Sequence, residues 1–364
     1  MKVALLSPFI YPIVKPFVGG LEAYLFSLAT ALVRQGVEVI CYACEGSEIP
    51  GVEIRTCGVL RDALVQPRTA YRMKRNEVLS LQAYEDAVMW SAVDDACNDS
   101  SIDILHNNSF SSIPIFLSTL SQTPILHTLH VPPEGRPALI EAMQGCRQHN
   151  RSLHFVACSQ AHAKMWENYY PVRQIVYCRF DTRTFPPYST AHEGRLAFVG
   201  RISPTKGVED AIALSVMLSK QLDIYGSVVR PLVPYFETRI QPLLQKHTNV
   251  TYHGSVDQET LWQGLRRAQA LVFPVKWNEP GGTAVAEAMA VGTPVVMYDR
   301  GPARELIVEG VNGFVVASDN LQEMAAAVAQ TEQIDRARCS TQARERFDIA
   351  ISVQQYLDLY QSLL

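Results

Sequence analysis

Short apolar runs alternate with amphipathic stretches along the whole chain, and this alternation constrains the possible folds more than any other feature. In the first half, strands are predicted near residues 2–7, 37–42, 103–106, 124–129 and 153–158, with helices between them. In the second half, strands are predicted near residues 195–199, 221–225, 249–252, 270–273, 294–297 and 314–316. Alternating strands and helices build parallel sheets. The sequence therefore predicts an α/β fold with two doubly wound parallel sheets.

Residues 176–194 separate the two series and are rich in proline and charged residues, as connections between domains usually are. We therefore expect an N-terminal domain over residues 1–175 and a C-terminal domain over residues 176–346. A chain of 364 residues is long enough for two domains that each have a core of their own. Residues 347–364 place apolar and aromatic side chains at helical spacing, which predicts a final amphipathic helix.

The charge balance excludes one broad class of partner. The chain has 32 Lys and Arg residues against 36 Asp and Glu residues, and its formal net charge of −4 is shared by both halves. Proteins that bind nucleic acid through bulk charge are strongly basic, so no nucleic-acid partner is expected. No apolar run approaches the roughly 18 residues of a membrane span, and no signal sequence precedes the first strand, so we expect a cytoplasmic protein.

The eight cysteines are scattered and several lie within apolar runs, so we expect buried thiols. Cys41 and Cys44 form a C-x-x-C pair, but no second pair and no nearby histidine cluster completes a zinc site. The sequence also contains no D-x-D motif, the usual side-chain anchor for a catalytic divalent ion. We therefore expect no metal site and no resident cofactor.

Glu279 and Glu287 stand eight positions apart, and a glycine-bearing loop that runs into an Ala-rich helix lies between them. The helix is predicted to begin at Thr283, so backbone N–H groups and the positive end of the helix dipole would attract a phosphate at the loop. The loop follows an apolar strand near residues 270–273, and open α/β sheets bind ligands at such carboxyl ends. A diphosphate ligand with hydroxyls at both ends, such as a nucleotide sugar, fits this pattern.

These residues resemble the E-x7-E signature of the retaining glycosyltransferase family 4 (glycosyl transferase group 1), whose members have the GT-B fold. The resemblance covers most of the chain. It includes the first strand with the Gly19-Gly20 loop, and the strand and basic loop of residues 198–207. It implies two Rossmann-like domains that face a deep cleft, with the donor on the second domain. It also implies that the C-terminal helix crosses back onto the N-terminal domain.

The resemblance assigns catalytic roles to four residues. Arg201 and Lys206 would neutralise the donor diphosphate and stabilise the leaving group. Glu279 would accept a hydrogen bond from the transferred sugar. His130, which ends the strand near residues 124–129, would face the cleft near that sugar.

The resemblance also indicates the residues that bind the donor. Glu287 would hold the ribose hydroxyls, and the loop that contains Val256 would read the nucleobase through main-chain groups. UDP is the favoured nucleotide because it is frequent in the family. The remaining donor-binding residues are Gly19, Gly20, Gly281, Gly282, Thr283 and Ala284.

Further polar residues lie at the ends of the first-domain strands. Ser159 is best explained as a helix N-cap, and His127 as a structural residue within its strand. His106, Asn107 and Asn108 close another strand, where they could line the acceptor side.

The expected reaction is the transfer of a hexosyl group from a nucleotide diphosphate sugar to a hydroxyl acceptor, with retention and without a metal ion. The sequence contains no motif that identifies the acceptor. Two alternatives stay open, namely a non-catalytic nucleotide-sugar-binding protein and a phosphorylase with the GT-B fold. A nicotinamide oxidoreductase is disfavoured because the chain has no G-x-G-x-x-G motif.

A basic segment suggests a second surface. Arg68, Arg72, Lys74 and Arg75 alternate with apolar residues, so they could form a weak peripheral contact with the inner face of a membrane. A solvated helix face explains the same pattern.

Overall fold

The computed structural model of the protein describes residues 1–57, 75–149 and 153–364, apart from the side chains of residues 75–82. The chain divides into two compact units. The first unit contains Met1–Phe180 and Ile349–Leu364, and the second contains Asp181–Asp348. The boundaries predicted at residues 175 and 346 lie a few residues earlier.

A parallel sheet forms the centre of the first unit, and it has seven strands in the described residues. The strands are β1 (Lys2–Leu6), β2 (Glu38–Ala43), β3 (Glu53–Thr56), β4 (Ile104–Asn107), β5 (Ile125–Leu129), β6 (His154–Ala157) and β7 (Gln174–Ile175). Their order is β3-β2-β1-β4-β5-β6-β7. The connections reverse direction between β1 and β4, which makes this the topological switch point of the sheet.

Helices cover both faces of this sheet. They are α1 (Gly20–Arg34), α2 (Arg75–Asn98), α3 (Ile113–Leu117), α4 (Pro137–Gln148) and α5 (Gln160–Trp166), followed at the end of the chain by α14 (Ile349–Leu363). Strand β1 shows why two faces are needed, because its successive side chains point to opposite sides. Val3 and Leu5 pack with α1 and α14, whereas Ala4 and Leu6 pack with α2.

The C-terminal helix α14 belongs to the core of the first unit, as the resemblance implied. Its residues Val353, Tyr356 and Tyr360 are buried in the same cluster as Tyr24 of α1. The Tyr24 hydroxyl donates a hydrogen bond of 3.1 Å to the Tyr356 hydroxyl. Removal of α14 would expose these large aromatic side chains, so we conclude that the unit requires the end of the chain for its core.

The second unit, which is described throughout, contains a parallel sheet of six strands in the order β10-β9-β8-β11-β12-β13. The strands are β8 (Arg195–Val199), β9 (Leu222–Tyr225), β10 (Val250–Gly254), β11 (Ala268–Phe273), β12 (Val295–Tyr298) and β13 (Gly313–Val316). The helices are α6 (Val208–Met217), α7 (Val233–Tyr235), α8 (Gln241–Lys246), α9 (Gln258–Arg267), α10 (Thr283–Ala290), α11 (Ala303–Leu306), α12 (Leu321–Gln330) and α13 (Arg336–Arg346). Here the switch point lies between β8 and β11.

The predicted fold class, with two Rossmann-like parallel sheets, is confirmed. Every predicted strand is present, and its observed ends differ from the predicted ends by at most two residues. Two short edge strands were not predicted. Strand β3 consists of Glu53-Ile54-Arg55-Thr56, which is too polar to show a clear apolar run, and β7 has two residues. An edge strand is paired on one side only and needs less apolar surface.

Two further observations concern membranes. No helix in the described part of the chain is both long and apolar enough to cross a bilayer. Arg68, Arg72, Lys74 and the side chain of Arg75, for which a peripheral contact was predicted, lie outside the described residues.

Candidate active site

The loops at the switch point of the second unit carry the predicted catalytic residues of that unit. Strand β8 is followed by the loop of Arg201 and Lys206, and its neighbour β11 is followed by the loop of Glu279. Because parallel strands end at the same edge of the sheet, both loops emerge side by side. The fold therefore brings together two motifs that are far apart in sequence.

Lys206 and Glu279 form a direct ion pair. The Lys206 Nζ atom lies 2.5 Å from Glu279 Oε2, and both side chains are largely buried. The Trp277 indole N–H donates a hydrogen bond of 2.6 Å to the same carboxylate oxygen, and the Trp277 ring centre lies 5.0 Å from Lys206 Nζ. The indole therefore stabilises the anion by its N–H and the cation by its π face.

Close backbone contacts hold the two loops against each other. Gly207 has a φ of +72°, and a Cβ atom there would lie 1.9 Å from the carbonyl oxygen of Pro274. The Lys276 N–H donates a hydrogen bond of 2.8 Å to the carbonyl of Thr205. Only glycine permits both this conformation and this approach, so the loops are held at a separation that lets Lys206 reach Glu279.

Gly301 packs against the backbone of the Glu279 loop. Its φ is +56°, and an added Cβ atom would lie 2.3 Å from the carbonyl oxygen of Glu279 and 2.9 Å from its nitrogen. The backbone after β12 thus packs directly on the backbone of the acidic residue. Any side chain at position 301 would displace Glu279.

Arg201 adds a second positive charge to the loop after β8. Its side chain is exposed, and no carboxylate within the described ranges forms an ion pair with it. Lys206 lies in the same loop, but its ammonium group already pairs with the Glu279 carboxylate. Arg201 therefore presents its guanidinium N–H donors to solvent, where a phosphate could accept them.

Helix α10 begins beside the Glu279 loop. Its N-cap is Gly282, which has a φ of 65°, and no side chain caps this end. The first N–H groups of a helix have no partners within the helix, and here they belong to Thr283 and Ala284, which are half-buried, as is Gly281. The terminus can therefore donate hydrogen bonds to an anion.

Glu287 lies one turn into α10 and has an unusual environment. The Trp262 indole N–H lies 3.4 Å from its Oε1 atom. Burial raises the pKa of the Glu287 carboxyl to about 7, although the indole contact opposes this shift. The carboxyl group therefore changes its charge near neutral pH, and a ligand with hydroxyl donors would favour its ionised form.

Val256 lies away from the switch point of this sheet. It belongs to the loop between β10, which is an edge strand, and α9. Its side chain is half-buried, and Asp257 next to it caps α9 by accepting a hydrogen bond of 2.7 Å from the Thr260 N–H. The predicted contact of this loop with a nucleobase stays a prediction.

In the first unit, Gly19 ends the loop from β1 and Gly20 is the first residue of α1, at the switch point of that sheet. Gly19 is the N-cap of α1. A Cβ atom at Gly19 would lie 2.8 Å from the Oε2 atom of Glu22, whose side chain is buried. A side chain at position 19 would therefore require the Glu22 carboxylate to shift, and the contact of Gly19 with donor phosphates stays a prediction.

His130 follows β5 and is half-buried. Its Nε2 atom lies 2.9 Å from Asn108 Oδ1, and its Nδ1 atom lies 3.6 Å from Cys158 Sγ. The Asn108 amide is fixed by its own hydrogen bond of 3.1 Å to the carbonyl of His106. The ring of His130 is therefore oriented by protein groups on both sides.

The other polar residues near these strand ends are structural. Ser159 is the N-cap of α5, as predicted, and accepts a hydrogen bond from the His162 N–H. His127 is buried between Asn107 and Ser118, with nitrogen contacts of 3.1 and 2.7 Å, and burial lowers its pKa to about 3. A structural role for His127 was also predicted.

The triplet of His106, Asn107 and Asn108 is buried as well, so the hypothesis that it lines an acceptor surface is not supported. The two ring nitrogens of His106 each lie 2.7 Å from a hydroxyl, that of Tyr360 and that of Thr128. Asn107 and Asn108 bond to neighbouring protein groups.

Several residues that position the site were not found by sequence reasoning. Trp277 and Trp262 hold the two glutamates, Gly301 supports a loop, and Asn108 orients His130. Trp277 gave a weak local signal because it stands two residues before Glu279. The partners of the other three are distant in sequence.

Comparisons with known proteins bear on the family of this chain. Residues 18–183 match the profile of the family described as Glycosyltransferase Family 4, and residues 188–346 match that of Glycosyl transferases group 1. An uncharacterised glycosyltransferase from Methanocaldococcus jannaschii is 35% identical over 140 residues, which are 37% of this chain and 35% of that protein. The D-inositol 3-phosphate glycosyltransferase of Arthrobacter sp. strain FB24 is 24% identical in an alignment that covers 86% of this chain and 83% of that protein.

A solved structure shows the same fold. The structure of Anabaena HepE in complex with UDP-glucose has a TM-score of 0.74 and 19% identity, and the similarity covers 100% of both chains. Each of the two family profiles covers one of the two α/β units, and together they span most of the chain. The chain therefore belongs to the group 1 glycosyltransferases of family 4, which are transferase enzymes with the GT-B fold.

Proposed function

We propose that the protein transfers a hexosyl group from a nucleotide diphosphate sugar, with a UDP-sugar as the favoured donor, to a hydroxyl acceptor. The transfer would retain the anomeric configuration and would proceed without a metal ion. The observation that carries this proposal is the Lys206–Glu279 ion pair at the switch point of the second unit. This pair places a cation and a carboxylate beside the N-terminus of helix α10.

These groups match the parts of a nucleotide sugar. An ammonium group has three hydrogen-bond donors, so Lys206 can bind Glu279 and still donate to a phosphate oxygen. Arg201 and the N-terminus of α10 add further donors for the diphosphate. Glu279 would accept a hydrogen bond from the transferred sugar, and Glu287 would accept from the ribose hydroxyls. His130 of the first unit is proposed as a further catalytic residue.

The positions of the cationic groups fit the place where negative charge develops during the reaction. As the bond between the anomeric carbon and the diphosphate breaks, the charge on the leaving oxygen increases, and preorganised cations stabilise it. The acceptor oxygen then bonds to the same face of the sugar, and its proton goes to the leaving phosphate oxygen. Lys206, Arg201 and helix α10 supply positive charge at this point, and this supports transfer without a divalent ion.

A UDP-sugar is favoured because a protein with the same fold, HepE, was solved with UDP-glucose. Thermal-shift measurements with UDP-, GDP-, ADP- and TDP-glucose would test the donor. A donor at 100 times its dissociation constant stabilises the folded protein by about 2.7 kcal/mol. We expect the largest rise in melting temperature with UDP-glucose, and equal shifts with all four nucleotides would contradict the choice of UDP.

Turnover and stereochemistry require a second experiment. The protein would be incubated with UDP-glucose and a panel of hydroxyl acceptors, with and without EDTA, and the products analysed by NMR. We expect an α-linked product and a rate that EDTA does not change. A β-linked product would contradict retention, and loss of the rate with EDTA would contradict metal independence.

The same assay separates the two alternative functions. A nucleotide-sugar-binding protein without activity would be stabilised by the donor but would release no UDP with any acceptor. A phosphorylase would leave UDP-glucose intact and would form a sugar 1-phosphate only when an oligosaccharide and inorganic phosphate are supplied together. Either result would replace the proposed transfer reaction.

A further inference from the structure

A histidine and two cysteines meet at the carboxyl edge of the first sheet, and the proposed reaction does not use them as a group. His130 follows β5, Cys158 follows β6, and Cys178 lies just after β7. These strands are neighbours, so the three side chains converge although they are distant in sequence. Across the residues that the structure describes, this is the one group of three or more His, Cys, Asp or Glu side chains placed to hold a metal ion, and its ligand atoms all lie within 4.8 Å of one another.

The distances in this cluster are close to those of a tetrahedral metal site. The sulfur atoms of Cys158 and Cys178 are 3.4 Å apart, and His130 Nδ1 lies 3.6 Å from Cys158 Sγ. Metal bonds of about 2.3 Å to sulfur and about 2.0 Å to nitrogen at tetrahedral angles give separations of roughly 3.8 and 3.5 Å. Shifts of a few tenths of an ångström would therefore suffice for these two pairs.

The hydrogen bonds around His130 leave Nδ1, the ring nitrogen that faces the sulfur atoms, available as a metal ligand. Asn108 donates its amide N–H to the carbonyl of His106, so its oxygen must face His130. That oxygen accepts a hydrogen bond from Nε2–H, and the neutral ring then has its lone pair on Nδ1, which faces the sulfur atoms. Metal-binding histidines typically have such a partner on the other nitrogen.

We propose that His130 Nδ1, Cys158 Sγ and Cys178 Sγ form a binding site for a soft divalent cation of the Zn²⁺ class. Two thiolates and an imidazole select such ions over Mg²⁺ or Ca²⁺, which prefer oxygen ligands. The cysteines are buried, whereas His130 is half-buried and provides the side from which an ion can enter. The fourth position is left for water.

Binding changes the state of all three residues. Each thiol gives its proton to solvent as its sulfur bonds to the ion, so one bound ion releases about two protons. The ion also occupies Nδ1 of His130 and holds the imidazole in place. Because His130 is a proposed catalytic residue, the ion is expected to inhibit transfer. This consequence rests on the proposed function, whereas the binding does not.

Titration with Co²⁺ tests the site, because thiolate ligands give Co²⁺ a charge-transfer absorption. The full-length protein would be kept metal-free and reduced with a phosphine, so that no disulfide forms. We expect the band to saturate at one equivalent of Co²⁺ and to disappear when Zn²⁺ is added. Cys158→Ser and Cys178→Ser should each weaken binding by at least about tenfold.

Cys44→Ser is the matched control, because it removes a thiol of the C-x-x-C pair outside the cluster and should leave the band unchanged. X-ray absorption at the zinc edge of the loaded wild-type protein should show two sulfur ligands, a result that does not depend on the folding of any variant. The absence of a thiolate band, unchanged binding by both cluster variants, or loss of the band in Cys44→Ser would overturn the proposal.

Inhibition is measured separately. Zn²⁺ should lower the transfer rate of the wild-type protein. The Zn²⁺ concentration that halves the rate should be at least about tenfold higher for Cys178→Ser. Zinc binding without inhibition would show that the consequence for transfer is wrong while the site is present. Failure of transfer under all conditions would affect the proposed function and would leave the metal titration intact.

Discussion

The ammonium group of Lys206 lies 2.5 Å from the carboxylate of Glu279, and 73 positions separate the two residues in sequence. Each lies in the loop that follows one of the two strands that flank the switch point of the second sheet. The pair can bind a donor through the remaining Lys206 N–H groups and the second carboxylate oxygen.

Replacement of Lys206 by methionine should lower kcat for a UDP-sugar by about 100 to 1000 times, because a donor to the leaving diphosphate is lost. Lys276→Met is the matched control, since Lys276 lies in the neighbouring loop and pairs with Asp210 at 2.8 Å. It should change kcat by less than about threefold. Steady-state kinetics of both variants would check this, and equal losses would contradict a specific role for Lys206.

The Glu287 carboxyl should make stability depend on pH. Burial raises its pKa to about 7 in the folded protein, above the ordinary value of 4.5. The folded state therefore holds the proton more tightly, and this stabilisation is present below pH 4.5 and is lost as pH rises through about 7. Between these values, the free energy of unfolding should fall by about 1 to 3 kcal/mol more in wild type than in Glu287→Gln.

Urea unfolding at several pH values would measure this difference. Glu345→Gln, which changes an exposed carboxylate, is the control and should follow the wild-type curve. Parallel curves for wild type and Glu287→Gln would show that the pKa of this carboxyl is not raised in the folded protein.

The affinity for a UDP-sugar should rise with pH if Glu287 accepts hydrogen bonds from the ribose. The ionised carboxylate is the better acceptor, and its fraction increases around the pKa of about 7. Between pH 6 and pH 8 we expect the affinity for UDP-glucose to increase by up to roughly tenfold. Isothermal titration calorimetry would measure it, and Glu287→Gln should bind more weakly and without this pH dependence.

Gly301→Ala should reduce activity by displacing Glu279. The new Cβ atom would lie 2.3 Å from the Glu279 carbonyl oxygen, in addition to the strain of a φ of +56°. Gly310→Ala is a close control, because Gly310 has a φ of +72° and nothing lies within 4 Å of the added atom. Both changes should cost about 1 to 2 kcal/mol of backbone strain.

Only Gly301→Ala should also lower kcat, by about tenfold or more, because the loop must move. Melting temperatures and steady-state kinetics of the two variants would separate strain from displacement. Similar kcat values in both variants would show that the backbone contact behind Glu279 does not position it.

Local patterns predicted most of the architecture because buried parallel strands are short continuous apolar runs, as residues 270–273 illustrate. Strands β3 and β7 were not predicted because edge strands need little apolar surface. In the site, the Ala-rich helix after Gly282 was predictable from sequence. Trp262, which contacts Glu287 from α9, was not, because nothing in its local sequence indicates that contact.

The sequence by itself determined the two series of strands and helices, the motifs that identify the family, and which charged residues follow which strand. The tertiary structure decided that Lys206 pairs directly with Glu279, that Gly301 supports the acidic loop, and that His130 meets two cysteines. The physical reason is that local propensity and periodicity depend on neighbours along the chain. Contacts between loops depend on the order of strands in the sheet, which is settled only when the whole core packs.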